Sequence, residues 1–212
     1  MEKNEVTQFK GLLKVLDIVY LIMTVSLGFV TLILLALTTF VTFQSKEDLK
    51  KILTAENAKT SIELSGVKYQ FKPEYLKKYS EVDKEMLVAL LVVAILSVII
   101  AMIIVWFARK LIRNFKINQI FTKNNGNYIE AIAIMILVVG HISKVLSSMV
   151  GIFINKSFHF GEYLINNGAI SSVGYKMFSI DWTLILISLT IWFIGRAFKY
   201  GAFLQEEYNE TV

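Results

Sequence analysis

Two groups of residues in this sequence have types and spacings that could do chemistry. His141 and Lys144 stand three apart inside an otherwise apolar stretch, so on a helix they share a face. An imidazole and an ammonium group so placed suit proton sensing or the holding of an anion, with Asp181 ahead of the next apolar stretch as a facing acid. If that helix spans residues 131–154, Lys144 stands about 20 Å from its start, at about 1.5 Å per residue. That is past the midplane of a bilayer, where an ionisable group is costly and often functional. If the span is residues 128–146 instead, Lys144 snorkels to the interface and His141 is a packed polar residue. Ser143, Ser147 and Gly151 would then give a small-residue face for close helix packing.

The second group is basic. Arg109, Lys110, Arg113, Lys116 and Lys123 fall in residues 108–128, which hold no acid. Such a cluster suits an acidic protein partner or anionic lipid headgroups. Direct nucleic-acid binding is the weaker reading, because a short basic loop beside an apolar span is what membrane topology alone requires. Other chemistries lack their residues. There is no nucleotide-binding glycine pattern, nucleophile elbow or H-E-x-x-H. The two histidines lie in different segments and there is no cysteine, which removes disulfides and thiolate metal sites. The sequence reads as a non-enzyme, without cofactor, metal or catalytic residues.

The elements that position these groups follow from composition. The chain has 212 residues, 55% apolar and 18% charged, against about 45–50% and about 25% in soluble domains. A bilayer core needs about 20 apolar helical residues. Residues 18–43 carry no charge over 26 positions, and residues 86–107 none over 22. Residues 131–154 are a third core, apolar except for His141 and Lys144, within a span of about 129–154. Residues 182–194 are a short fourth core, which 173–178 extend outward across Asp181, giving a span of about 176–196. The first run exceeds a cleavable signal core and no A-x-A site follows it, so it reads as a retained anchor. The fold class is all-α: a four-helix transmembrane bundle, a single integral membrane domain over residues 1–212.

Four spans put both termini on one side. Basic residues number 10 on the side of the termini and 11 on the other, so a raw count decides nothing. The positive-inside rule weighs short loops near span ends. Residues 108–128 satisfy it, whereas the first loop, 44–85, spreads nine lysines among eight acids as a small folded insert would. The prediction is a multi-pass protein of the cell membrane with both termini and the basic loop in the cytoplasm.

The first loop predicts an extracytoplasmic hairpin plus helix. Residues 61–64 and 67–71 alternate apolar and polar around Ser65-Gly66, a hairpin signal. Pro73 opens a polar helix over 74–85. This insert either binds a partner or is a solvated connector. The third loop mixes Phe158, Phe160, Tyr163, Leu164 and Ile165 with Gly and Asn, which reads as aromatic anchors at the interface or as a simple turn. The basic loop continues the second helix, turns at 119–127, and offers Thr122 as N-cap of the third. After the fourth span, 196–208 space Phe198, Phe203, Leu204 and Tyr208 as a short amphipathic helix, and the tail runs over 197–212. Its Glu206, Glu207 and Glu210 are placed to meet Arg109, Lys110 and Arg113.

Two stretches carry a resemblance. One is Phe121-Thr122-Lys123-Asn124-Asn125; the other begins Gly201-Ala202-Phe203-Leu204-Gln205-Glu206-Glu207 and closes the chain. They resemble the bacterial membrane family numbered two-nine-seven-five among domains of unknown function, which has four spans, an F-T-x-x-N turn before span three and a G-x-x-L-Q-x-E ending. Where that family carries a basic run after the turn, this chain has Gly126-Asn127-Tyr128-Ile129. The resemblance implies a membrane-bound partner of a small helix-turn-helix regulator. The candidate surface is Arg109, Lys110, Arg113, Lys116, Phe121, Thr122, Asn125, Gly201, Leu204, Gln205 and Glu207. Two further readings are an immunity protein that intercepts a secreted, membrane-active peptide through loops one and three, and a small transporter or channel subunit. The latter is disfavoured because the apolar cores hold no Asp or Glu.

Overall fold

The computed structural model describes residues 2–54, 61–64, 67–70, 74, 81–169, 171–175 and 180–211. In chain order the elements are α1 (Glu2–Phe43), α2 (Lys46–Thr54), β1 (Ser61–Leu64), β2 (Val67–Gln70), α3 (Lys84–Lys116), α4 (Lys123–Phe158), α5 (Phe160–Asn166) and α6 (Trp182–Thr211). Four of these helices are long and apolar enough to cross a membrane: Phe9–Phe43, Lys84–Lys116, Lys123–Phe158 and Trp182–Glu210. The fold is the all-α, four-span class, and the chain is a multi-pass membrane protein. Its large exposed residues, Leu32, Phe29, Leu186 and Phe193 among them, are those a bilayer would cover.

Three helix starts are fixed by side-chain caps. Ser45 accepts from Asp48 N at 3.1 Å and opens α2. Its hydroxyl also donates to the Asp48 carboxylate at 2.8 Å. Asp83 accepts from Met86 N at 3.0 Å and opens α3. Asp181 does the same for Leu184 N at 3.0 Å and opens α6. The cap at Asp181 corrects the fourth span. The helix begins at Trp182, not 176, because a carboxylate that satisfies orphan amides marks a start. Residues 173–175 are irregular, and 176–178 lie outside the described residues. The tail is not a separate short helix either, since α6 runs unbroken to Thr211.

In the first loop, β1 and β2 pair antiparallel with Ile62 opposite Tyr69 and Leu64 opposite Val67. The predicted turn at 65–66 and Pro73 lie outside the described residues. Of the predicted helix over 74–85, residues 75–80 also lie outside, and 81–83 are not helical.

The described residues form two compact units. The first comprises 1–33, 95–143 and 180–212. Here α1 and α3 run antiparallel: Asp17 meets Arg109, and later on α1 but earlier on α3, Thr31 Oγ1 lies 3.7 Å from Met102 Sδ. Ile112, Ile129, Ala133 and Ala202 are buried. Gly140 in α4 admits the Leu184 side chain of α6.

The second unit comprises 34–94 and 144–179. Val41, Leu49 and Val82 form its buried cluster, with Leu87, Val88, Leu91 and Phe153 packed around it. The fully buried Ser157 receives Glu81 N on its carbonyl at 2.8 Å and Asp83 N on its hydroxyl at 3.2 Å. Lys84 Nζ donates to the carbonyls of Thr42 (2.9 Å) and Gln44 (2.7 Å), closing the orphan end of α1. The aromatic third loop folds as the seven-residue α5, entered through His159 at φ 49°.

Candidate functional site

The turn between α3 and α4 is built by its polar residues. Asn118 takes the left-handed conformation at φ 61°, which asparagine tolerates, and Gln119 N returns to Asn114 O at 3.0 Å. Thr122 Oγ1 accepts from Asn125 N at 3.2 Å, so it caps α4. Asn125 is fully buried. Its Nδ2 donates to Gln119 O (2.7 Å) and Ile120 O (2.8 Å), and its Oδ1 accepts from Asn114 Nδ2 at 2.6 Å. One amide thus ties the end of α3, the turn and the start of α4 together. Phe121 then leans on α6. Its ring lies 5.3 Å from that of Phe198, and a Cβ at Gly201 would fall 2.8 Å from it. Gly201 is therefore the residue that admits Phe121. The two stretches that carried the resemblance meet here, about 80 positions apart in sequence.

Beside this turn are two charge clusters with the same composition. Asp17 of α1 accepts from Arg109 Nε at 3.1 Å and Lys116 Nζ at 2.6 Å, both on α3. Glu130 of α4 is 2.7 Å from Lys199 Nζ and 3.1 Å from Arg196 Nε, both on α6. Glu130 Oε1 lies in ion-pair range of Arg196 without the angle of a hydrogen bond. Each acid closes its apolar run on one helix, and its partner closes the run on the neighbour. Each cluster holds one carboxylate against two cations, so a positive charge is left over. Glu130 is only 15% exposed, so removing its partners would strand a charge at high cost. The α4–α6 pair approaches closely there, because Gly126 faces Gly195: a Cβ on Gly126 would fall 2.8 Å from Gly195 O.

The basic residues singled out in the sequence divide accordingly. Arg109 and Lys116 are spent on Asp17, not on tail acids. Lys110 Nζ sits 3.6 Å above the Trp106 ring and 5.4 Å from that of Tyr128. Arg113 and Lys123 are exposed, and no acid among the described residues pairs with them. Thr122, Asn125 and Gly201 shape the turn; Leu204, Gln205 and Glu207 are exposed on α6. His141 is exposed, with Nδ1 2.8 Å from Leu137 O of its own helix. Lys144 is half-buried. Sequence reasoning missed Asp17, Glu130, Arg196 and Lys199 as site residues. The available signal was a lone acid abutting a long apolar run on the side of the basic loop.

Residues 52–212 match the model of a family described as a protein of unknown function, DUF2975. The chain belongs to this family. Neither a curated protein nor a solved structure matches it. In this DUF2975 protein the Glu130 cluster and the Phe121–Gly201 contact lie inside the matched residues, and Asp17 lies before them. An open groove of about 340 Å³ runs along the same surface, lined by Phe121, Thr122, Lys123 and Asn124 on one side and Ala202, Gln205, Glu206 and Asn209 on the other. The second unit of the DUF2975 protein has its own cleft, about 470 Å³, lined by Lys46, Glu47, Lys50, Glu81, Asp83, Glu85 and Lys156. Among the described residues no group of three or more His, Asp or Glu is placed to hold a metal.

Proposed function

We propose that this DUF2975 protein is a non-enzymatic membrane regulator that holds a cytosolic protein against the α3–α4 turn and the C-terminal half of α6. The carrying observation is the groove between 121–124 and 202–209. It presents both signs of charge, Lys123 and Glu206, and the amides of Asn124, Gln205 and Asn209, with half-exposed Phe121 at its rim. Mixed charges and amides around an aromatic edge suit a protein segment. The resemblance stated above supports a small helix-turn-helix regulator as the partner class. The topology that goes with this reading has both termini and residues 108–128 in the cytoplasm of a cell-membrane protein, with 44–85 outside. It rests on the acid-free basic loop.

A photo-crosslinking residue at Gln205 tests the partner in living cells. A covalent adduct to one soluble protein, lost when Lys123→Glu and Glu206→Lys are both introduced, is the expected result. Crosslinks to lipid alone would end the proposal. Because the chain has no cysteine, Gly66→Cys gives a clean topology probe. It should react with an impermeant maleimide in intact cells, and protection until lysis would reverse the orientation.

The cleft of the second unit favours a second reading, an immunity protein that captures a secreted peptide. Its lining carries three lysines and four acids, which suits a zwitterionic peptide segment. Loss of producer-peptide resistance on Glu81→Lys with Lys156→Glu, with crosslinking at Gln205 unchanged, would select it.

A further inference from the structure

We propose that the groove beside the Asp17 cluster binds the phosphate of an anionic phospholipid. A helix turns about 100° per residue. Taking buried Leu13 as the origin on α1, Asp17 lies about 40° round and Lys14 about 100°. Taking buried Ile112 as the origin on α3, Lys116 lies about 40° round and Arg113 again about 100°. Asp17 and Lys116 touch at 2.6 Å, so these directions face each other. The two helices are antiparallel, and equal offsets on antiparallel helices point to the same side. Lys14 and Arg113 therefore flank one groove. Their levels agree too, because each stands beyond the Asp17–Arg109 contact, by about 4.5 Å on α1 and about 6 Å on α3 at 1.5 Å per residue.

Both side chains are exposed, and no acid among the described residues neutralises either. Asp17 is already shared by two cations, so it does not discharge them. The groove thus carries two free cations on top of a cluster that is itself positive. Lys10, on the same stripe of α1 and exposed, adds a third.

The lining above the charges selects a lipid over a soluble phosphate. Counted from the same origins, Leu21 lies about 80° and Ile18 about 140° round α1, at 43% and 58% exposed, and Trp106 lies about 120° round α3, at 50% exposed. A headgroup phosphate between Lys14 and Arg113 would place an acyl chain along these three residues. Trp106 sits where an interfacial tryptophan belongs.

The test is native mass spectrometry on the full-length protein in detergent, titrated with phosphatidylglycerol or phosphatidylcholine of the same acyl chains. Phosphatidylglycerol should bind the wild type more tightly. Lys14→Gln and Arg113→Gln should each weaken it about fivefold, the worth of one cation at a membrane surface, and the pair about 25-fold. Lys51→Gln, an exposed cation of the second unit, should leave it unchanged. Excess glycerol 3-phosphate should not displace the lipid. Both substituted side chains are exposed, and an unchanged circular dichroism spectrum and melting midpoint confirm that the variants fold. Equal binding of the two lipids, wild-type affinity in the double variant, or displacement by glycerol 3-phosphate overturns the proposal; the last outcome assigns the groove to a soluble anion.

Discussion

Replacing Asn125 is the sharpest test of how the α3–α4 turn is held. The side chain is fully buried and makes three hydrogen bonds, at 2.7, 2.8 and 2.6 Å. Each is worth about 1 kcal/mol net, so Asn125→Ala removes about 3 kcal/mol. The groups left behind decide whether more is lost. Gln119 is exposed, and Ile120 and Asn114 are half-buried, so water can reach them in part. The full penalty for orphaned polar groups therefore does not apply, and the figure stays at about 2–3 kcal/mol. For a chain of this size that lowers the melting midpoint by about 5–10 °C, measured by differential scanning fluorimetry in detergent. Two companions fix the mechanism. Asn114→Ala breaks one bond and should cost about a third as much. Asn125→Asp keeps the acceptor for Asn114 but sets an oxygen against two carbonyls, so it should be worse than alanine. A midpoint shift under about 1 °C for Asn125→Ala, or an aspartate milder than alanine, would refute the reasoning.

Gly126→Ala should destabilise by about 1–3 kcal/mol despite alanine's better helix propensity, because its Cβ meets the Gly195 carbonyl, which is backbone. Gly140→Ala should be milder in the same melting assay, since it meets only the movable Leu184 side chain. A double-mutant cycle on Asp17→Ala and Lys116→Ala should give a coupling of about 1 kcal/mol or less that shrinks in high salt, as suits a pair 24% and 30% exposed. The Ser45 hydroxyl, and then Lys51, hold the Asp48 carboxyl below its ordinary value. Its contribution to α2 is thus present above the unfolded pKa, about 3.9, and is lost as pH falls through the lower folded one. Ser45→Ala should raise the Asp48 titration midpoint measured by NMR.

The four spans were legible because uninterrupted apolar runs have few other uses, and the 18–43 and 86–107 runs reappear inside α1 and α3. Thr122 as a cap was legible because capping is local chemistry. The start of the fourth helix was misread because hydropathy rewards Met177, Phe178 and Ile180, whereas the helix obeys the carboxylate of Asp181. The pairing of the basic loop's residues was only half legible. Arg109, Arg113 and Lys116 look alike in sequence, but which of them is free depends on Asp17, about 90 positions away. The Glu130 cluster and the Gly126–Gly195 approach were hidden for the same reason, being long-range pairings that no local pattern encodes.

Because α6 is one unbroken rod from Trp182 to Thr211, its membrane part and its tail are mechanically one lever. Gly195, where its backbone closes on Gly126 of α4, is close to the middle. The arms on either side are about 20 Å and about 24 Å at 1.5 Å per residue. Rocking about that fulcrum would convert a push of about 3 Å on the last turn into an opposite swing of about 2.5 Å at Trp182, with no joint between them to absorb it.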